Sequence, residues 1–208
     1  MWRRSSSNAW LYIVIVNLVA FVPRVLLGGY FLVLFGLNPI LAIYGGFAWQ
    51  FITYMFVHGD LLHLLFNMYA LFLFGPAVER YMGTKNFVAY YFACGIGSAF
   101  FHILLTGMQN LTLIGASGAI FGVLVAYAMF FPRALIMIFP IPIPLPARYA
   151  VVLIGFLSFL LGITAASSPI AHFGHLGGII TGFLIIKLFR PGPKPYYVVY
   201  DYRRGTWR

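Results

Sequence analysis

The chain has 208 residues, of which 62% are apolar and 8% are charged, whereas typical soluble domains carry roughly a quarter charged residues. Its formal charge of +10 would suit a nucleic-acid binder, but the basic residues cluster at the ends of apolar runs and in the tail, as in loops on one side of a membrane. The composition therefore excludes an ordinary soluble domain and favours an all-α, polytopic membrane protein with no nucleic-acid partner.

Hydropathy predicts six membrane-spanning helices, because each apolar run approaches the ~20 residues that cross a bilayer. In chain order they are Ala9–Leu27, Leu61–Tyr81, Asn86–Leu105, Ser117–Phe131, Arg148–Thr164 and Pro169–Phe189. The first run follows two arginines as in a signal sequence, but it lacks a convincing cleavage site, so we expect a retained helix. We expect residues 1–190 to form one membrane domain and 191–208 to form a short basic, aromatic cytoplasmic tail.

The segment Tyr30–Trp49 is apolar enough to be a seventh span, and the charges decide against it. Seven spans would put the N-terminal arginines on the opposite side from the later basic loops and tail, whereas six spans put all of them in the cytoplasm. Residues 28–60 then form one outside loop. This loop is so apolar that we expect short amphipathic pieces dipping into the outer leaflet.

The fourth and fifth predicted helices are joined by a proline-rich stretch, Pro140–Pro146. Each proline removes a backbone donor and clashes with the preceding helical turn. This stretch therefore cannot be helix interior, and we expect a connector.

Polar side chains interrupt three of the apolar runs. His63 and Asn67 lie in the second predicted helix, Ser117 begins the fourth, and His175 lies in the sixth. Counted at about 1.5 Å per residue, all four lie about 20–26 Å from the first basic residue at the cytoplasmic end of their helix. Polar groups are costly in hydrocarbon unless they act together, so the shared depth predicts one functional site.

Glycines predict how two of these helices approach each other. Gly118 and Gly122 form a small-xxx-small face on the fourth helix, and Gly178 and Gly182 form another on the sixth. His175 precedes Gly178 by three residues and so shares its face. We expect close helix packing beside the serine.

Three motifs on the second, fourth and sixth predicted helices resemble those of the rhomboid intramembrane serine proteases. They are His63-Leu64-Leu65-Phe66-Asn67, Gly115-Ala116-Ser117-Gly118 and His175-Leu176-Gly177-Gly178-Ile179-Ile180-Thr181-Gly182. Each motif alone is common, but the three together in this order are specific. The resemblance covers nearly the whole chain, including the six spans and the large first outside loop.

The resemblance implies a serine endopeptidase that cuts transmembrane segments of other membrane proteins within the lipid bilayer. Ser117 would be the nucleophile and His175 the general base of a Ser–His dyad. His63, Asn67 and the Ser117 backbone N–H would hold the oxyanion, and Gly115 would support packing together with the other glycines. No cofactor or metal is implied. By analogy, a compact chain of this kind belongs in a prokaryotic plasma membrane.

Two positions depart from the family pattern. Gln50 follows Trp49 where the family often has Trp-Arg, so the arginine's role is absent. Phe121 stands where some members carry a tyrosine, so its ring can stack on His175 without a hydroxyl contact. His172 competes as the base, but the glycine spacing favours His175, and we expect His172 to line the mouth of the site or to be structural.

Other functions fit the sequence less well. Catalytically inactive relatives that bind membrane proteins typically lack the serine or the histidine, and this chain has both. A transporter with a histidine proton relay would need a polar path to the inside, yet the helices are almost wholly apolar below Asn67, Ser117 and His175. A metal site would lack acidic ligands in the membrane, and an aspartyl protease would lack its two carboxylates.

Overall fold

The computed structural model describes residues 8–138, 141–164, 169–189, 200–201 and 206–207. Its long helices are α1 (Ala9–Leu27), α5 (Leu61–Met82), α6 (Thr84–Thr106), α7 (Ser117–Phe130), α8 (Ala147–Thr164) and α9 (Pro169–Phe189). Between α1 and α5 lie the short helices α2 (Gly29–Phe35), α3 (Pro39–Ile43) and α4 (Gln50–Thr53), followed by a 3₁₀ turn at Tyr54–Phe56. Two antiparallel strand pairs complete it, β1 (Leu135–Ile138) with β2 (Ile141–Pro146) and β3 (Tyr200–Asp201) with β4 (Thr206–Trp207).

The six predicted helices are present, with ends within two residues of the predicted ones. Among the described residues, α1, α5, α6 and the His172–Phe189 part of α9 are long and apolar enough to cross a membrane, whereas Ser117–Phe130 and Ala147–Leu157 are shorter apolar helices. The chain is mostly helical, as predicted, and the two short strand pairs are additions to the helical bundle. Apart from β3 and β4, the predicted tail at 191–208 lies outside the described residues.

The apolar loop at residues 28–60 folds as short helical pieces, as its composition predicts. Asn38 begins α3 as an N-cap, because its Oδ1 accepts hydrogen bonds from the backbone N–H groups of Ile40 (3.1 Å) and Leu41 (3.2 Å). Pro39 follows at the first helical position, where a missing N–H costs nothing. The helices are short because the chain turns at Gly36 and at Gly46, which has a φ of +78°.

The proline-rich connector between α7 and α8 is a β-hairpin. Leu135 pairs with Pro146, Ile136 with Leu145 and Met137 with Pro144, and the register shifts at Ile138. Prolines are compatible with an edge strand when their missing N–H groups lie on the unpaired side. The sequence excludes a helix here, and the alternation of proline with isoleucine and leucine allows the strand.

Helix α6 lies inside the bundle, where it packs against α5, α7 and α9, and α9 also contacts α8. Its inward side chains are almost fully buried: Phe87, Tyr90, Tyr91 and Cys94 are each at most 2% exposed. The Tyr90 hydroxyl donates a 2.7 Å hydrogen bond to the carbonyl oxygen of Gly122. Helix α6 is therefore fastened to α7 by a polar contact as well as by apolar packing.

The start of α1 is held by an acidic residue from α5. The buried Glu79 carboxylate accepts hydrogen bonds from the backbone N–H groups of Ala9 (3.1 Å) and Trp10 (3.0 Å). The Thr84 hydroxyl donates a third bond of 2.8 Å. A negative charge at a helix N-terminus also interacts favourably with the helix dipole. Glu79 thus joins the start of α1 to the junction of α5 and α6.

We expect the substitution Glu79→Gln to destabilise the protein by about 1–3 kcal/mol, because an amide cannot accept all the bonds of the carboxylate and a buried N–H of α1 loses its partner. The free energy of unfolding in detergent measures this loss. Arg80→Gln, at the exposed neighbouring residue, is the matched control and should stay close to wild type. Equal stability of Glu79→Gln and Arg80→Gln would contradict the expectation.

Candidate active site

The hydroxyl of Ser117 lies next to the imidazole of His175. Ser117 is the first residue of α7, His175 lies in α9, and the distance from Ser117 Oγ to His175 Nε2 is 2.8 Å. Both residues are partly buried. With the ring proton on Nδ1, Nε2 is an acceptor and the serine hydroxyl is the donor. The geometry suits transfer of the hydroxyl proton to the ring.

Glycines let α7 and α9 approach closely enough for this contact. A Cβ added at Gly178 would collide with the carbonyl oxygen of Gly118. A Cβ added at Gly182 would lie 3.0 Å from the Cα of Gly122. The two predicted small-residue faces therefore lie against each other. We call this contact between α7 and α9 the seam, and Ser117 and His175 lie at one end of it.

The turn before α7 depends on Gly115. Its φ of +105° is a conformation that other residues rarely adopt, and its backbone N–H donates a 2.9 Å bond to the carbonyl oxygen of Tyr54. Gly115, predicted to support helix packing, thus lies in the turn before the helix. Because it starts α7, Ser117 has a backbone N–H without an intrahelical acceptor, and the positive end of the helix dipole lies beside its side chain.

His63 packs against this turn. A Cβ added at Gly115 would lie 2.7 Å from His63 Nε2, so a larger residue at this position would displace the ring. Asn67, one turn further along α5, is buried, and its Nδ2 donates a 2.8 Å bond to the carbonyl oxygen of His63. The structure thus brings His63 beside the turn that precedes Ser117, while the amide of Asn67 is bound within its own helix.

Two aromatic rings contact His175. The ring of Phe121 lies 4.4 Å from the His175 ring between centroids, at an interplanar angle of 36°. His172 makes an edge contact with His175, with centroids 6.1 Å apart. The imidazole of His175 is therefore restrained by both neighbours, and it is His175 that hydrogen-bonds to Ser117.

His58, just before α5, is a further ring at the site. It is fully buried and makes an edge contact with His63, with centroids 5.0 Å apart. Burial lowers the pKa of His58 to about 4, and the neighbouring His63 adds to the shift. The His58 ring is therefore neutral near pH 7 and supports His63 by packing rather than by charge.

Gln50 holds the first loop together from within by its side-chain hydrogen bonds, a role that the sequence alone does not predict. Its side chain is fully buried, Oε1 accepts a 3.0 Å bond from the Asn38 N–H, and Nε2 donates a 2.8 Å bond to the carbonyl oxygen of Val33. A glutamine can both accept and donate, whereas an arginine only donates. At this position the amide therefore satisfies a backbone N–H that an arginine would leave unpaired.

The same loop is joined to the segment that leads to Ser117. The Asn38 Nδ2 donates a 2.7 Å bond to Oδ1 of Asn110. Close by, Leu37 and Leu113 exchange two backbone hydrogen bonds of 2.9 and 2.8 Å. The N-cap pattern of Asn38 and Pro39 is visible in the sequence, but its pairing with a residue 72 positions away has no local signal.

Comparison with known proteins agrees with these features. A family model described as the Rhomboid domain matches residues 45–192. The YdcA protein of Bacillus subtilis (strain 168) is 32% identical over 148 residues, which are 70% of this chain and 69% of that protein. The rhomboid protease AarA of Providencia stuartii is 32% identical over 171 residues, 74% of this chain and 60% of AarA. The rhomboid protease GluP of Bacillus subtilis (strain 168) is 33% identical over 154 residues, 73% of this chain but 28% of GluP.

We expect Gln50→Ala to destabilise the protein by roughly 2–4 kcal/mol, because it leaves the buried Asn38 N–H and the Val33 carbonyl without their partner. Asn110→Ala, which removes one partly exposed bond, should cost about 1 kcal/mol. Gln109→Ala, at the exposed neighbouring residue, is the control. Unfolding in detergent measures all three variants, and a Gln50→Ala variant as stable as Gln109→Ala would show that the buried amide does not hold the loop.

Proposed function

Because the chain belongs to the rhomboid family, we propose that it is an intramembrane serine endopeptidase that cleaves transmembrane segments of other membrane proteins. The observation that carries the proposal is the 2.8 Å distance between Ser117 Oγ and His175 Nε2. The relatives AarA and GluP bear the name rhomboid protease, which supports a protease at the level of the family.

In the proposed reaction, His175 Nε2 takes the hydroxyl proton while Ser117 Oγ attacks the carbonyl carbon of the scissile peptide bond. The tetrahedral intermediate collapses, the C–N bond breaks, and His175 returns the proton to the leaving amine. A water molecule then gives a proton to His175 and attacks the acyl carbon. The bond from that carbon to Ser117 Oγ breaks, His175 returns the proton to Oγ, and the new carboxyl end is released.

The proposed dyad has no acidic third member among the side chains that the structure describes. Asp60 caps the start of α5, where its Oδ1 accepts a 2.8 Å bond from the His63 N–H. Glu79 is bound to the start of α1. The orientation of the His175 ring comes instead from Phe121 and His172, which contact it. We assign His172 to lining the site, since it is His175 Nε2 that accepts the hydrogen bond from the Ser117 hydroxyl.

The negative oxygen of the tetrahedral intermediate would be held by the Ser117 backbone N–H, His63 and Asn67. The free N–H at the start of α7 and the packing of His63 against Gly115 support this assignment. Asn67 would take part by turning its amide from the His63 carbonyl towards the oxyanion. Loss of one such donor typically raises the barrier by about 2.7–4 kcal/mol.

We further propose six spans in the plasma membrane of a prokaryote, with both ends of residues 1–208 in the cytoplasm, residues 1–190 as the membrane domain and 191–208 as its tail. The start of α1 meets the end of α5 at Glu79, and Tyr81 stacks on Phe130 at the end of α7, with ring centroids 4.0 Å apart. These ends therefore share one side of the bundle, and the exposed cations Arg80 and Lys85 lie there. Ser117 begins α7 at the opposite end.

The substrates we propose are transmembrane helices with glycine or other weak helix formers. The peptide groups of a helix in lipid are hydrogen-bonded to one another within the helix. A scissile bond therefore becomes accessible only where the segment can unwind. The loop at residues 28–60, which contacts the Gly115 turn through Tyr54, would cover the site and exclude excess water.

A fluorophosphonate probe tests the proposed dyad directly. We expect it to add one adduct to Ser117 of the detergent-solubilised chain, detected by intact mass and peptide mapping. His175→Ala should slow labelling by roughly 10²-fold or more, because general-base catalysis is lost.

His172→Ala is the matched control, since it removes a neighbouring imidazole of the same helix that lacks the bond to Ser117. It should slow labelling far less than His175→Ala does, because it removes only an edge contact with the base and not the base itself. Loss of labelling in His172→Ala with normal labelling in His175→Ala would reassign the base. A folded wild-type chain that takes up no probe would instead favour a catalytically inactive member of the family.

A further inference from the structure

The hairpin of β1 and β2 exposes apolar side chains at the end of the bundle that lies away from Ser117. Every residue of the two strands is apolar. Leu135, Met137 and Ile143 are 66%, 71% and 59% exposed. An isolated two-stranded hairpin is marginally stable in water, and an exposed apolar surface of this kind marks a contact with a partner or a membrane.

The prolines of β2 argue against a protein strand as the partner. The Ala147 N–H donates a 2.8 Å bond to the carbonyl oxygen of Ala134 and closes the hairpin. Because backbone N–H groups alternate in direction along a strand, those of Leu145 and Ile143 also point towards β1. Pro144 and Pro146 occupy the positions at which an N–H would point outwards. The outer edge of β2 therefore lacks N–H donors there, so another strand cannot pair with it fully. The missing donors also lower the cost of entering a low-dielectric region.

Two exposed arginines flank the base of this hairpin. Arg133 precedes the closing residue Ala134, and Arg148 follows Ala147. The guanidinium carbon of Arg148 lies 4.6 Å from the centroid of the Tyr149 ring, which is 55% exposed. Apolar side chains with arginine and tyrosine at their margin are typical of the membrane interface.

Neither arginine has an acidic partner among the described side chains. The chain contains three acidic residues, Asp60, Glu79 and Asp201. Asp60 lies at the start of α5, and Glu79 is occupied by the backbone of α1 and by Thr84. The nearby cations Arg80 and Lys85 add to the positive charge at this end. Among the described side chains no carboxylate balances the two guanidinium groups, so both are open to an anion from outside the protein.

We propose that the hairpin is a membrane-interface anchor, whose apolar side chains enter the boundary between headgroups and acyl chains while Arg133 and Arg148 bind the phosphates of anionic phospholipids. This role goes beyond the proposed proteolysis and does not depend on it. The anchor would fix the depth of α7 and α8, between which the hairpin lies, and therefore the depth at which Ser117 meets a substrate.

A fluorescent label at Met137→Cys tests the insertion of the hairpin. The full chain, whose native Cys94 is buried, is labelled with an NBD maleimide and reconstituted into nanodiscs of mixed zwitterionic and anionic lipid. We expect quenching by lipids spin-labelled near the headgroup and protection from aqueous iodide. Gln109→Cys, in an exposed loop at the other end, is the control for an aqueous position. Quenching of the Met137→Cys label by iodide alone, or protection from both quenchers as by a bound protein, would overturn the proposal.

Lipid retention tests the two arginines. We expect the double variant Arg133→Gln/Arg148→Gln to retain less anionic lipid than wild type after purification in mild detergent, by roughly fivefold for each arginine. The variant Arg80→Gln/Lys85→Gln removes the same charge from the same end and should retain clearly more. Lipid mass spectrometry measures the bound fraction. An equal loss in both double variants would mean that net charge alone attracts the lipid, and no loss in either would mean that the arginines do not bind it; each result would overturn the assignment.

Discussion

The close approach of α7 and α9 is the constraint on which the site depends. Backbone meets backbone where Gly178 faces Gly118 and Gly182 faces Gly122. A Cβ at Gly178 would collide with the Gly118 carbonyl oxygen, and a Cβ at Gly182 would lie 3.0 Å from the Gly122 Cα. The 2.8 Å contact between Ser117 and His175 lies at the end of this seam. Helices in lipid gain little from the hydrophobic effect, so small residues and interhelical hydrogen bonds hold them together. The packing surface and the reacting groups are therefore parts of one arrangement.

Polar tethers fix the two ends of the bundle around that seam. At one end, the Glu79 carboxylate holds the start of α1. At the other end, the amide of Gln50 braces the first loop, and Asn38 connects that loop to Asn110. Buried polar groups that are fully hydrogen-bonded give a rigid and specific structure. For the proposed dyad, such tethers would limit the reorganisation that Ser117 needs to meet His175.

The sequence predicted the helices well, because membrane spans are long apolar runs with basic ends. It also singled out Ser117 and His175, which the structure brings into contact, since polar groups are so costly in hydrocarbon that few occur there. The β-hairpin was missed because proline excludes a helix without specifying what replaces it. The bond between Asn38 and Asn110 was missed because it joins residues that are distant in the chain. The role of Gln50 was missed because its amide oxygen accepts a bond from the Asn38 N–H, and only the folded loop brings these two groups together.

The central claim is that Ser117 performs proteolysis within the membrane. The most direct measurement is cleavage of a panel of transmembrane substrates by the full chain in liposomes, compared with Ser117→Ala. We expect wild type to cut at least one substrate in or next to its membrane segment, with faster cleavage where glycine weakens the helix, and Ser117→Ala to be inactive. Cleavage that persists unchanged in Ser117→Ala would contradict the assignment of Ser117 as the nucleophile.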